Sequence, residues 1–145
     1  MAERSGVKSE LFLDASYAIA VTVTNDQNHE RAVALGWQMK AERTRLITTR
    51  AVVLEIGDAL SKVRYRRAAI SMLTALEGDA SVEIVPTSEE LYQRAFQLYQ
   101  SRADKEWGLT DCVSFVVMQD RGLSDALTTD KHFEQAGFRA LLRES

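Results

Sequence analysis

Hydrophobic residues along this chain fall into two kinds of segment that alternate. Short apolar runs predict buried strands at 11–13 (Leu11-Phe12-Leu13), 46–49 (Leu46-Ile47-Thr48-Thr49), 82–85 and 126–129 (Ala126-Leu127-Thr128-Thr129), the third closed by Pro86. A last strand is expected near 138–142, after Gly137. Between these runs the apolar positions recur at helical steps. A short helix is expected over 16–23. Ala32, Leu35 and Met39 predict a helix over 27–42 with Asp26 as its N-cap. Val52, Val53, Ile56 and Leu60 predict one over 50–61, and another is expected over 64–77, stopped by Gly78 as a C′ residue. Ser88-Glu89-Glu90-Leu91 has the serine-then-acid pattern of a helix start, and Leu91, Ala95 and Leu98 carry that helix to about residue 103. Thr110 or Asp111 caps the next helix, whose apolar face holds Val113, Phe115, Val116 and Met118 and which ends near Gly122. A short helix follows Asp130.

Strands and helices in alternation give an α/β fold with a mostly parallel sheet of four or five strands and helices on both faces. In such sheets, sites form outside the carboxyl ends of the strands, where the strand order reverses. With 7 Gly and 1 Pro among 145 residues, no linker and no repeat, a single domain over 1–145 is expected. The apolar runs are shorter than the roughly 20 residues of a spanning helix, and no secretory leader pattern is visible. No membrane association and a cytoplasmic location are therefore expected.

Composition narrows the chemistry. One Cys, Cys112, excludes an internal disulfide framework and a Cys-cluster zinc site, and two His argue against a His-rich one. The 18 Lys+Arg against 21 Asp+Glu give a net charge of −3, so any nucleic-acid binding needs a local patch.

The acids are the informative residues. Asp14 closes the first strand, Asp130 closes the fourth, Glu55 sits early in the helix after the second, and Asp111 starts a helix after a long connection. The strand-end rule brings all four to one edge of the sheet. Clustered carboxylates repel unless a cation neutralises them, and an all-oxygen set suits Mg2+ or Mn2+. Such an ion can present an activated water to a phosphodiester. Plain helix capping competes as an explanation for Asp111 and Asp130. Glu55, flanked by Val53, Leu54 and Ile56, is costly as a carboxylate there unless a cation faces it.

Four blocks carry a resemblance: Phe12-Leu13-Asp14-Ala15-Ser16-Tyr17-Ala18-Ile19-Ala20, Thr48-Thr49-Arg50-Ala51-Val52-Val53-Leu54-Glu55, Trp107-Gly108-Leu109-Thr110-Asp111-Cys112-Val113-Ser114-Phe115, and Ala126-Leu127-Thr128-Thr129-Asp130-Lys131-His132-Phe133. In this order and spacing the chain resembles PIN-domain ribonucleases, in particular the VapC-type toxins of bacterial toxin–antitoxin pairs. The resemblance spans about residues 10 to 142. It implies a three-layer α/β/α sandwich and metal-dependent endonucleolytic cleavage of RNA. It also implies a metal site on Asp14, Glu55, Asp111 and Asp130, a homodimer, and a cognate antitoxin whose tail fills the active-site groove. Asp14 and Asp130 are expected to bind the metal. Glu55 and Asp111 are expected to complete its shell through waters and to help position or deprotonate the attacking water. Thr128 resembles the family's small hydroxyl residue near the last Asp; a buried strand Thr is the alternative.

An acidic site needs cations to hold an RNA backbone. Arg50, five residues before Glu55, and Lys131 with His132, beside Asp130, are candidates for phosphate contact; solvated faces and a surface cap are the alternatives. Lys62, Arg64, Arg66 and Arg67 form the densest basic group, and a solvated helix face is the plainer reading. Asp104 is an auxiliary acid or a solvated loop residue. Trp37, Tyr65 and Met72 belong to the core or to a partner surface. Trp107 is expected to pack the loop before Asp111, and Cys112 to be a small buried hydrophobe. His29 has no evident partner. An Asp-nucleophile phosphatase needs a second Asp where Ser16 stands, and a receiver domain needs an acid where the third strand ends at Val85-Pro86; both fail. A PIN-like module that binds RNA or protein without cutting stays open.

Overall fold

The computed structural model describes residues 9–144, so the ends of the expected 1–145 domain lie outside the described residues. Five strands form one wholly parallel sheet: β1 (Glu10–Leu13), β2 (Arg45–Thr49), β3 (Val82–Val85), β4 (Asp125–Leu127) and β5 (Arg139–Ala140), in the order β3-β2-β1-β4-β5. In β1, Phe12 sits opposite Ile47 of β2 and Ala126 of β4. Successive strand side chains point to opposite faces. Leu11, Phe12 and Leu13 are nonetheless all buried, so both faces of the central strand are covered, as a three-layer α/β/α sandwich requires.

The covering helices are α1 (Ala15–Thr22), α2 (His29–Glu42), α3 (Arg50–Ala59), α4 (Val63–Gly78), α5 (Glu89–Ser101), α6 (Leu109–Asp120) and α7 (Lys131–Gln135). The α1 helix packs on α2 and α3, and α5 packs along α6. Residues 112–118 of α6 are buried without interruption, because the helix has neighbours all round. Aromatic rings tie this helix to the sheet. Trp107 meets Phe115 edge-on at 5.0 Å, Phe115 meets Phe133 at 5.0 Å, and Phe133 meets Phe12 at 6.2 Å. That chain of contacts fixes the loop before α6 relative to the end of β1.

From β1 the sheet grows through β2 to β3 on one side, and through β4 to β5 on the other. The order therefore reverses between β1 and β4. Their carboxyl ends lie side by side, with the Asp14 N–H donating to the Leu127 carbonyl at 3.2 Å.

Several boundaries differ from the sequence reading. The second helix starts at His29, after Asn28; Asp26 instead turns the preceding loop by accepting from the Asn28 N–H at 2.7 Å. Gly78 is the last helical residue of α4 and uses no left-handed conformation, so it is not a C′ glycine. Gly122 does adopt one, with φ of 64°, where α6 ends. The last strand is only Arg139–Ala140, and the chain then tightens into a 3-10 turn, Leu141–Arg143. Ser88 caps α5 by accepting from the Leu91 N–H. The cap of α6 falls at Gly108, not Thr110 or Asp111.

Candidate active site

Asp14 is the N-cap residue of α1, but its carboxylate does not cap the helix. Its Oδ2 accepts from Thr128 Oγ1 at 2.7 Å and from Ser16 Oγ at 2.9 Å. Ser16 Oγ also accepts from the Thr129 N–H at 2.9 Å, and Thr128 Oγ1 accepts from the Asp130 N–H at 3.0 Å. This network stitches the end of β1 to the turn after β4. Asp14 is 6% exposed. Burial pushes its carboxyl above the ordinary carboxylate range, the Thr128 and Ser16 bonds oppose that, and the Asp111 charge adds to it.

Asp130 caps α7, its Oδ1 accepting from the His132 N–H at 2.8 Å. That turn folds the His132 ring back, so Nδ1 lies 3.1 Å from Asp111 Oδ2 and 3.3 Å from Asp130 Oδ1. Asp111 Oδ2 also accepts from the Gly108 N–H at 3.1 Å. Both capping readings are therefore correct in part: Asp130 caps α7, and Asp111 closes back on Gly108, the residue that caps its own helix. Each still faces the common cleft. Burial raises the Asp111 carboxyl, with Asp130 pushing the same way against the Gly108 and His132 contacts.

Glu55 is exposed on α3. Its carboxyl is nevertheless pushed up to about 7, first by desolvation and then by the charges of Asp14, Asp111, Asp130 and Asp58. Three of those four charges are the other acids singled out in the sequence. The structure thus brings Asp14, Glu55, Asp111 and Asp130 within electrostatic reach of one another at the β1–β4 reversal.

The donor set fits a hard divalent cation. It offers carboxylate oxygens, like charges already pushed toward protonation, and three donors (Asp111, Asp130 and His132) with ligand atoms within 4.8 Å of one another. His132 entered the sequence reading only as a phosphate contact or a cap; its place between two acids was missed. So was Ser16. The signal for Ser16 was its spacing two residues after Asp14, where its hydroxyl reaches back to the carboxylate.

The remaining residues divide. Arg50, expected near phosphate, is instead committed to an ion pair with Glu77 of α4, both exposed. Lys131 is exposed beside the cluster and shares a groove with His132, Gln135, Asp104, Lys105 and Glu106. Asp104 is held by Arg102 through two hydrogen bonds and by Lys105 at 3.9 Å, so it is a loop acid and not a fifth member of the cluster. Thr128 is fully buried and bonds Asp14 directly. Trp107 packs the loop before α6, with its indole N–H donating to Gln135 Oε1 at 3.0 Å. Cys112 is buried, its thiol pushed up to about 11. Trp37 is 67% exposed, whereas Tyr65 and Met72 pack against the core. His29 does have a partner: its Nδ1 lies 2.8 Å from the Ala20 carbonyl.

A parallel sheet with carboxylates gathered where its strand order reverses defines an α/β domain with an acidic cleft. Residues 11–139 match the family model for the PIN domain, and the chain belongs to that family. It is 27% identical over 128 residues to the 23S rRNA-specific endonuclease VapC20 of Mycobacterium tuberculosis, a match covering 88% of this chain and 95% of the relative. Its fold superposes on the crystal structure of M. tuberculosis VapC20, a sarcin–ricin loop cleaving toxin, with a TM-score of 0.77 and 24% identity over 88% of this chain and 95% of that one. It also superposes on VapBC2 of Rickettsia felis bound to a promoter DNA fragment, with a TM-score of 0.63 and 12% identity over 90% and 96% of the two chains. No helix among the described residues is long and apolar enough to cross a membrane.

Proposed function

We propose that this protein is a metal-dependent endoribonuclease, the toxin of a toxin–antitoxin pair, with Asp14, Glu55, Asp111 and Asp130 as its active site. The observation that carries the reading is that Asp14, Glu55 and Asp111 are all raised above the ordinary carboxylate range in one cleft, by burial and by the charges of the other acids of the set. A cluster built at that cost serves to hold a cation. Mg2+ or Mn2+ fits the oxygen donors, with Asp14 and Asp130 holding the ion and Glu55 and Asp111 completing its surroundings through water. When bound, such an ion offsets charge on the phosphoryl oxygens and acidifies water.

The protein's own groups do the rest. Thr128 and Ser16 favour the ionised form of Asp14 against its burial and fix its direction. His132 and the Gly108 N–H do the same for Asp111. Glu55, with a carboxyl near 7, is suited to accept a proton from the attacking water near neutral pH. Water adds to phosphorus, one P–O bond of the phosphodiester breaks, and the leaving oxygen takes up a proton. In this reading Lys131 meets a substrate phosphate, which its exposure beside His132 supports. VapC20 acts on 23S rRNA, which makes 23S rRNA the first substrate to test. The protein acts as a homodimer and is silenced by a cognate antitoxin in this reading; the VapBC2 neighbour supports the second point.

The test is cleavage of 23S rRNA and of a pool of structured RNAs by purified protein, with Mg2+, with Mn2+ and with EDTA, beside Asp14→Asn. Discrete metal-dependent products absent from the variant are expected. Equal cleavage by Asp14→Asn in a nuclease-free preparation sinks the proposal.

A further inference from the structure

Next to the acidic cleft lies a second concavity with no part in the chemistry just described. It measures about 640 Å³ and is lined by Phe96, Tyr99, Gln100 and Ala103 at the end of α5 and by residues 105–108 of the loop before α6. Cavities that take a planar organic ligand run from about 300 to 1,000 Å³. Its wall is aromatic. Tyr92, Phe96 and Tyr99 step along α5 with ring centroids 6.1 and 6.3 Å apart, and Tyr99 is 46% exposed. Tyr92 and Tyr99 are exposed on either side of the half-buried Phe96, so these two rings are not packed into the core.

This concavity shares part of its rim with a groove beside the acidic cleft. Lys105 and Glu106 line both it and the groove that holds Lys131 and His132. Gly108, on its floor, donates its N–H to Asp111. Trp107, also in its wall, bonds Gln135 of the same groove. The rim carries cations. Arg102 lies 5.1 Å over the Trp107 ring, and Asp104 is already matched by Arg102 and Lys105. Lys105, paired with Asp104, and Lys131 thus place two cations beside Asp104 and Glu106 on the side of the concavity nearer the cleft.

Resting on the nuclease reading above, we infer that the Phe96–Tyr99–Trp107 concavity is a nucleobase subsite, in which an unpaired base of the RNA strand stacks on Tyr99 while Lys105 meets its phosphate. Single-stranded nucleic acid is held by this combination of an aromatic platform and a flanking cation. A second copy of the chain or an apolar peptide fits less well. Neither accounts for the two lysines on the side nearer the cleft, whereas one strand of RNA reaching from the acids to Tyr99 would meet both. Glu106, the acid shared by the two grooves, offers an acceptor to the N–H groups on a base edge. The subsite would set where the strand is cut by fixing one base a defined distance from the acids.

The test uses the full chain in the Asp14→Asn background, so that RNA is bound without being cut. Single-stranded RNA carrying 2-aminopurine at successive positions maps the stacked base by its quenching. Tyr99→Ala is expected to weaken binding about ten-fold and to remove that quenching, and Tyr99→Trp to restore both. An abasic residue at the mapped position is expected to weaken binding to the Tyr99 protein about as much, with no further loss in Tyr99→Ala. In the otherwise wild-type chain, Tyr99→Ala is expected to scatter the cleavage position. Active cleavage with affinity and position unchanged in Tyr99→Ala overturns the subsite and leaves the nuclease reading standing. Absence of both RNA binding and cleavage overturns the two together. A Tyr99→Ala protein that changes its sedimentation state but not its RNA affinity assigns the surface to a second copy and overturns the subsite. Thermal melting of each variant identifies a misfolded one; in that event Lys105→Ala, which is expected to weaken binding without removing the quenching, decides the matter by the same criteria.

Discussion

Thr128 Oγ1 donates to Asp14 Oδ2 at 2.7 Å across 114 residues of sequence, and the same oxygen accepts from the Asp130 N–H. One buried hydroxyl thus orients one acid and positions the backbone of another. Thr128→Val keeps the shape and removes the donor. It is expected to cost about 1–3 kcal/mol of stability, because a buried carboxylate loses a partner. Divalent-metal affinity is expected to fall about 10–100-fold, as it does when the groups supporting a ligand are lost. Calorimetric titration with Mn2+ and thermal melting check this, and Thr128→Ser should retain most of both. Unchanged affinity in Thr128→Val would show that Ser16 alone holds Asp14.

The acidic cleft makes a signed prediction about pH. Glu55 has a carboxyl at about 7 in the folded protein against an ordinary 4.5. A carboxyl raised on folding favours the folded state while protonated. Its contribution is complete below the ordinary value and is lost as pH rises through about 7. Asp14 and Asp111 are shifted in the same direction. The metal-free protein should therefore melt at a lower temperature at about pH 8 than at about pH 5.5, and Mg2+ or Mn2+ should recover more at the higher pH. Glu55→Gln should flatten the upper part of that profile. Superimposable profiles for Glu55→Gln and the parent would refute the assignment.

Lys131 and Arg50 separate cleanly. Lys131 makes no ion pair among the described residues, whereas Arg50 is engaged with Glu77. Lys131→Ala is expected to weaken RNA binding and to lower the slope of log affinity against log salt by about 1. Arg50→Ala should leave RNA affinity unchanged and cost less than about 1 kcal/mol, as expected for an exposed ion pair. Filter binding across a salt series distinguishes them.

Trp107 carries the loop that delivers Asp111. It is 5% exposed, lies edge-on to Phe115, and bonds Gln135. Trp107→Ala should cost about 3–5 kcal/mol through the cavity it leaves. Trp107→Phe should fold and keep the stack on Phe115. Lacking the indole N–H, it should lose cleavage rate more than stability, which single-turnover kinetics beside melting would show.

The identity of the four acids was legible because each follows an apolar run or starts an apolar helix, and the strand-end rule then points them to one edge. Glu55 was singled out as a costly carboxylate among apolar neighbours, but Glu55 and Leu54 are both exposed in the fold, and what marks Glu55 is its reach to the other acids. Arg50 was read from the same kind of local pattern. Its position beside the end of β2 was read correctly, but the direction of its guanidinium depends on Glu77, 27 residues away on another helix. Asp26 and Gly78 were misplaced because caps compete locally, and the Asn28 turn and the continued α4 prevailed in the packed fold.

Periodicity and residue type by themselves determined the alternating elements, the parallel class of the sheet and the gathering of acids at one of its edges. All of these follow from local steps of two or 3.6 residues and from the donors each side chain carries. Only the tertiary structure decided that Thr128 and Ser16 grip Asp14, that His132 stands between Asp111 and Asp130, and that an aromatic groove opens beside them. Those relationships join residues brought together by the order of the strands, and a local hydrophobic pattern carries no record of which strand lies next to which.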